Sequence, residues 1–391
     1  MNIVCVSHLR WDFVYQRPQH LLSRAARGGR VLYVEEATAI AGASRLDIHT
    51  DISGVLVAVP RIAADLSPDD CERVQRRLLR EAIAAHVPGR YVLWYYTPMA
   101  IALTHELAAA TVVYDCMDEL SAFAGAPVEL RERELELFRK ADVVFTGGQT
   151  LYEAKRSQHH NVHAFPSSVD TAHFAQARSL TVDPADQARI PHPRVGFFGV
   201  IDERMDYALL RGVAAARPEW HLVLIGPTVK VDPSSLPQVP NIHYLGPKPY
   251  AELPSYIAGW DVATLPFARN ESTRFISPTK TPEYLAAGKP VVSTSIRDVV
   301  RPYGERGLAR IADDPPSFIS AIEDALHEDQ TETRRLADAF LSHVSWDETW
   351  LRMKRAIDAA GAQRQSRRAP RPHRRATEPQ VTAASEVTAR V

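Results

Sequence analysis

The sequence predicts two doubly wound α/β domains that face each other across a cleft. Three observations carry this. Short β-branched runs alternate with helical periodicity through the first half of the chain. A polar, proline-containing stretch at Arg178–Pro193 interrupts the pattern. The alternation then restarts at Val195.

In the first half the strand-like runs are 3–7, 31–34, 55–59, 91–95, 111–115 and 142–146, with a helical pattern over 71–86. In the second half they are 195–200, 222–226, 242–246, 262–267 and 291–294. Continuous apolar runs are buried on both faces, which means a parallel sheet, and alternation with helices means a doubly wound domain. The expected division is therefore 1–177 for the first Rossmann-like domain, 178–193 for a linker and 194–345 for the second domain. An amphipathic helix, Trp346–Ala360, closes a terminal segment 346–361. Residues 362–391 lack apolar periodicity and are expected to be disordered. Ligands of such sheets bind beyond the carboxyl ends of the strands, so the cleft is the expected site.

The chain has 391 residues, 45% hydrophobic and 24% charged, and a formal net charge of −1, which gives no sign of nucleic-acid binding. No apolar run approaches the roughly 20 residues needed to span a bilayer. The N-terminus has no basic segment followed by an apolar one, so a secretory signal is not expected. Cys5, Cys71 and Cys116 are isolated and fit neither a disulfide framework nor a zinc site. A cytoplasmic protein is expected. The arginines between 364 and 375 raise peripheral contact with an anionic membrane as an alternative to a solvated tail.

Several chemistries are excluded by missing motifs. No G-x-G-x-x-G follows the first strand, and no P-loop or G-x-S-x-G is present. No two aspartates are separated by one residue, so a D-x-D metal clamp is missing. A diphosphate would need backbone amides and cations instead, with no metal and no cofactor.

Ser277–Thr294 (SPTKTPEYLAAGKPVVST) carries the richest signal. Ser277 and Pro278 suit the start of a helix, and Thr281-Pro282 offers a second start. Gly288 and Pro290 end it, and Val291–Thr294 reads as a buried strand. Lys280 at the helix start can face a phosphate, with Ser277 and Thr279 beside it. Glu283, one turn on, can accept two hydrogen bonds from the vicinal diol of a ribose.

This run resembles the donor-site helix of GT-B glycosyltransferases of the family 4 type. The context agrees: VGFFGVIDERMDYALL (195–210), HLVLIGP (221–227), NIHYLGPKPYAELPSYIAGWDVATLPF (241–267) and NVHAFPSSVDTAHF (161–174). The resemblance implies a nucleotide-sugar site in the second domain. Glu283 would hold the ribose, while Arg204 and Lys280, with Gly199 after the first strand, would hold the diphosphate. It also implies that the last helix returns to the first domain. One departure stands out. The family's usual pair of glutamates is separated by seven residues, and Phe275 stands where the first is expected.

In the first domain, WDFVYQRPQHLLSR (11–24) follows the first strand, and Arg17, Gln19 and His20 are candidates to face the cleft. The likeness to bacterial cell-surface polysaccharide glycosyltransferases reaches this stretch less specifically. Asp115 and Asp118 end a strand where a carboxylate can act as general base. Tyr95 and Thr97, ending the preceding strand, are candidates for the acceptor pocket. The expected activity is metal-independent transfer of a sugar, of hexosyl type, from a nucleotide sugar to a hydroxyl on a polysaccharide or lipid-linked glycan. A nucleotide-sugar epimerase and an inactive nucleotide-sugar-binding protein are the competing readings.

Overall fold

The protein's structure, a computed structural model, describes residues 1–368. The expected tail beyond 368 lies outside the described residues. The first sheet contains β1 (Asn2–Val6), β2 (Val31–Val34), β3 (Thr38–Ile40), β4 (Arg45–Thr50), β5 (Leu56–Ala63), β6 (Tyr91–Tyr95), β7 (Thr111–Cys116), β8 (Val143–Thr146) and β9 (Val162–Ala164). Its order is β3-β5-β2-β1-β6-β7-β8-β9, with β4 antiparallel to β5 at one side. The helices are α1 (Arg17–Ala26), α2 (Pro68–His86), α3 (Ile101–Thr104), α4 (Leu130–Lys140) and α5 (Gln149–Lys155). Ser67 caps α2, so that helix starts earlier than its apolar periodicity indicates. Strand β4 was not anticipated because RLDIHT is a polar, half-exposed edge sequence.

The second sheet contains β10 (Arg194–Phe198), β11 (His221–Ile225), β12 (Ile242–Gly246), β13 (Val262–Leu265), β14 (Val291–Ser293) and β15 (Arg310–Ile311). They are parallel in the order β12-β11-β10-β13-β14-β15. Before this sheet comes α6 (Thr171–Ala175). Within and after it come α7 (Tyr207–Ala216), α8 (Leu253–Ala258), α9 (Lys280–Ala286), α10 (Arg297–Val300), α11 (Pro315–His327), α12 (Thr331–Leu341) and α13 (Trp346–Arg368).

The two cores show where the chain crosses between domains. Phe165 packs in the first core, whereas Val169, Phe174, Ala177 and Ile190 belong to the second. The crossing therefore lies between 165 and 169, and the stretch 178–193 is not a free linker. Gln187 anchors it: the amide donates to the Tyr256 carbonyl at 2.9 Å and accepts from the Trp260 indole at 3.0 Å. Composition shows a polar stretch; it does not show one buried amide tied into the second core.

On the return, Trp346, Met353, Ile357 and Ala360 enter the first core. Half-buried Trp350 packs against the same core, and with it the spacing alternates between four and three residues, which is one helix face. Helix α13 does not stop at Ala360 but runs on through Gly361 to Arg368. A Cβ on Gly361 would lie 2.6 Å from Thr111 Oγ1, so this glycine serves close packing rather than termination. The following turn is held by Arg364, paired with Asp142 at 2.5 Å. Among the described residues no helix is long and apolar enough to cross a membrane.

Candidate active site

Both sheets reverse strand order at their centres, between β1 and β6 and between β10 and β13. The loops leaving the carboxyl ends of those strands diverge there and leave room for a ligand. In the second domain β10 ends at Gly199 with φ 150°, a conformation side chains resist. Gly226, at the end of neighbouring β11, has φ 142°, and a Cβ there would lie 1.8 Å from the Gly199 carbonyl oxygen. The two glycines let the backbone floor lie flat beneath Lys280. Gly226→Ala is expected to destabilise the protein by about 3 kcal/mol through strain and overlap; a denaturant midpoint equal to wild type would refute this packing.

Helix α9 starts at Lys280, after Thr279 rather than at Ser277. Pro282 falls in its first turn, where a missing N–H is tolerated. The end follows the expected pattern: Lys289 N–H reaches the Tyr284 carbonyl at 3.0 Å, Gly288 N–H reaches Leu285 at 2.9 Å, and Gly288 has φ 74°. The start of α9 thus presents Lys280 and Glu283 to the cleft. Glu283 is 4% exposed, and its Oε2 has no hydrogen-bond partner. Burial pushes its carboxyl up to about 7, against the pull of Lys280. It lines a cavity of about 580 Å³ whose walls include Gly226, Pro227, Lys248 and Tyr250 and, from the first domain, Trp11–Tyr15.

Lys280 and Gly199 line both this cavity and a smaller one of about 100 Å³ between the domains. Burial lowers the Lys280 ammonium below its ordinary value. Its Nζ donates to Thr279 Oγ1 at 3.1 Å, and among the described residues it has no carboxylate in salt-bridge range. Ser277 lines the small cavity, and its carbonyl accepts from Ser167 Oγ of the first domain at 2.9 Å. Arg204 also lines it, but Asp202 holds its guanidinium at 2.7 Å, and Phe123 of the first domain lies 5.7 Å below.

The facing wall separates the two aspartates. Asp118 lines the small cavity, and its carboxylate makes no hydrogen bond among the described residues. Burial raises its pKa; Arg204, Arg17 and Lys280 act in the opposite direction. Asp115 is not an available base. It is fully buried and receives Arg17 Nε at 3.0 Å and Nη2 at 2.9 Å. Arg17 also donates to the Phe165 carbonyl at 2.8 Å, so its fork is occupied although it lies along the small cavity.

Other candidates of the first domain are structural. Gln19 donates to the Trp11 carbonyl at 2.6 Å and accepts from Gln16 N–H at 3.0 Å, closing the loop before α1. The His20 ring is buried and stacks on Trp346 at 4.5 Å. Burial pushes its pKa well below the ordinary value, so it is a neutral packing group rather than a catalyst. Tyr95 turns away from the cleft and bonds Thr104 Oγ1 at 2.6 Å. Thr97 accepts from Met99 N–H at 3.3 Å and borders a separate pocket beside Glu35. A strand end points two ways, and period-two reasoning does not say which way the cleft lies.

Three features were missed. His8 follows β1 at the switch point; burial takes its imidazole down to about 4, and its Nδ1 is unpartnered. Tyr250, whose hydroxyl is buried without a partner, stacks on Tyr15 across the domains at 4.4 Å. Gly147-Gly148, after β8, let the second domain approach: a Cβ on Gly148 would lie 2.2 Å from Asp298 Oδ2 and 2.8 Å from Ser277 Cβ. The position of His8 beyond a central strand was the readable clue for the first, and the glycine pair for the third. Phe275 packs on an apolar cluster of the first domain, and the nearest acid, Glu271, pairs with Arg274 at 3.6 Å near the surface.

Comparison with known proteins agrees with this geometry. Residues 192–328 match the family model described as Glycosyl transferases group 1. The Bacillus subtilis protein TuaH, named for a glycosyltransferase of teichuronic acid biosynthesis, is 26% identical over 279 residues, covering 66% of this chain and 69% of TuaH. Among solved structures, sucrose-phosphate synthase of Thermosynechococcus elongatus superposes with a TM-score of 0.69 at 14% identity, covering 93% of this chain and 99% of the other. HepE of Anabaena, in complex with UDP and glucose, superposes with a TM-score of 0.63 at 14% identity, covering 91% and 99%. The two facing sheets are those of the GT-B fold.

Proposed function

We propose that this glycosyltransferase moves a hexosyl group from a UDP-sugar to a hydroxyl of a surface polysaccharide or lipid-linked glycan, with Asp118 as general base. The observation that carries the reading is a pair of cavities that share Gly199 and Lys280 and together hold three complementary groups. An unpartnered buried carboxylate, Glu283, suits a ribose diol. A half-buried ammonium with no carboxylate in salt-bridge range among the described residues, Lys280, suits a diphosphate. An unpaired carboxylate, Asp118, stands on the opposite wall. The cavity of about 580 Å³ falls within the usual range for small-molecule sites.

The uridine nucleotide is favoured by HepE, whose solved complex contains UDP and glucose. The glycan acceptor is favoured by TuaH and its place in teichuronic acid biosynthesis. Lys280, assisted by Arg204, would take the charge of the departing diphosphate, in place of a divalent ion. Phe275 stands where family 4 enzymes are expected to carry the first glutamate, so the sugar would be held by the segment 276–279 and not by that carboxylate. Cytoplasmic action, peripheral to the membrane if the acceptor is lipid-linked, completes the proposal.

The test is incubation with a panel of labelled UDP-sugars. Release of UDP with a glycoside, or slow hydrolysis, supports transfer. A donor epimerised without UDP release, or binding with no turnover, rejects it. The ribose assignment is checked separately. Glu283→Ala should weaken UDP affinity by about 1–3 kcal/mol through loss of a charged acceptor. Unchanged calorimetric binding would remove Glu283 from that role.

A further inference from the structure

Helix α5 touches neither cavity centre, yet both of its ends are tied to groups that matter there. It follows β8, which lies beside β7 with Thr146 paired to Cys116. The loop carrying Asp118 leaves β7 at that level. Gly147 N–H donates to the Cys116 carbonyl at 2.9 Å, and a Cβ on Gly147 would lie 2.2 Å from the Met117 carbonyl oxygen. The two loops are therefore in direct contact along their backbones.

The far end of α5 holds the same loop through a buried charge cluster. Lys155 Nζ lies 2.7 Å from Glu119 Oε2 and 2.7 Å from Glu134 Oε2. The side chains are 5%, 14% and 12% exposed. Tyr114 on β7 donates to Glu134 Oε1 at 2.8 Å. Glu119 is the residue after Asp118, so the position of Asp118 depends on the one cation between these two acids. Without it, two half-desolvated carboxylates would repel one another and move the loop.

The near end of α5 lacks a cap of its own, since its N-cap is Gly148. The second domain supplies one. Asp298 at the start of α10 accepts from Gln149 N–H at 2.8 Å and from Thr150 N–H at 3.0 Å, and it also accepts from the Thr150 hydroxyl. Asp298 is 6% exposed, and its neighbour Arg297 pairs with Glu153 of α5 at 2.6 Å. A helix of seven residues has little stability alone and depends on such contacts.

We infer that Lys155 and Asp298 are positioning residues for Asp118: the cap given by the second domain fixes α5, and α5 through Lys155 fixes the 117–119 loop. Closure of the donor domain thereby sets the base in place. The inference rests on the reading of Asp118 as base, and the experiment separates the two.

Rates of UDP release from the best UDP-sugar of the panel, and calorimetric affinity for UDP, are measured on the full chain. Lys155→Met and Asp298→Ala should each slow release by about 10- to 100-fold, the scale of a small misplacement of a reacting group. UDP affinity should stay within about threefold, because the lost function is in turnover. Lys155→Arg keeps a cation and should lose less rate than Lys155→Met; Asp298→Asn keeps one of the two acceptors and should lose less rate than Asp298→Ala. The double variant Lys155→Met/Asp298→Ala should lose less than the product of the single losses, as expected for two residues acting through one helix. If Lys155→Met fails to fold, Glu119→Gln replaces it with the same expectation. Single variants at wild-type rate, while Asp118→Asn is inactive, would overturn the inference and leave the base intact. Equal loss of UDP affinity and rate would also overturn it, by showing a general structural role. An active Asp118→Asn would overturn the base assignment and the inference with it.

Discussion

Asp118→Asn is expected to lower turnover by about 10²- to 10⁴-fold, the range for loss of a general base, with UDP affinity unchanged. The substitution is nearly isosteric and removes only the ability to take a proton. Asp118 is suited to that task by its surroundings. Its carboxylate has no hydrogen bond to give up among the described residues, and burial raises its pKa above that of an exposed aspartate. A raised pKa makes a stronger base. Arg204, Arg17 and Lys280 act against that rise. Arg204 and Lys280 belong to the second domain, on the other side of the same cavity, where the leaving diphosphate would collect. On the proposed reading, proton removal and charge stabilisation fall on opposite walls. Turnover and UDP binding are read independently. A variant with near-normal turnover would remove Asp118 from the mechanism and shift attention to His8, whose Nδ1 is unpartnered near the end of β1.

The helix that presents Lys280 and Glu283 to the cavity was legible in the sequence, because it is built from local rules. Gly288, Pro290 and the residues between Thr279 and Glu283 define one short helix, and a helix fixes which side chains share a face. The facing wall of the first domain was not. Arg17 and Asp115 are 98 residues apart, and nothing in their local sequence says that each occupies the other. His20 reads as a cleft residue until Trp346, from the far end of the chain, is seen to stack on it. The domain boundary failed for the same reason. A polar stretch reads as a linker, and contacts such as those of Gln187 with Trp260 and Tyr256 show it to be part of a core. Period and propensity report the near neighbours of a residue, while a cleft between domains is made from distant ones.

The Arg17–Asp115 pair gives the largest expected stability effect. Asp115→Ala should destabilise the protein by about 3–5 kcal/mol, because it strands a buried guanidinium. Arg17 is 2% exposed and Asp115 is 0% exposed, so water cannot take the place of the lost partner. The pair also joins three parts of the first domain. Arg17 begins α1, Asp115 lies in β7, and the Phe165 carbonyl that receives Nη1 lies just before the chain leaves for the second domain. Loss of Asp115 should therefore loosen the crossing as well as the core. The double variant Arg17→Met/Asp115→Leu tests whether the cost is the stranded charge or the lost attraction. Replacing both partners by apolar groups of similar size is often neutral or better, so it should recover most of the stability. Urea unfolding reads both variants. If Asp115→Ala unfolds within about 1 kcal/mol of wild type, within the range of an exposed pair, the guanidinium must find another partner. Asp115 would then return as a candidate for the chemistry that the geometry here gives to Asp118.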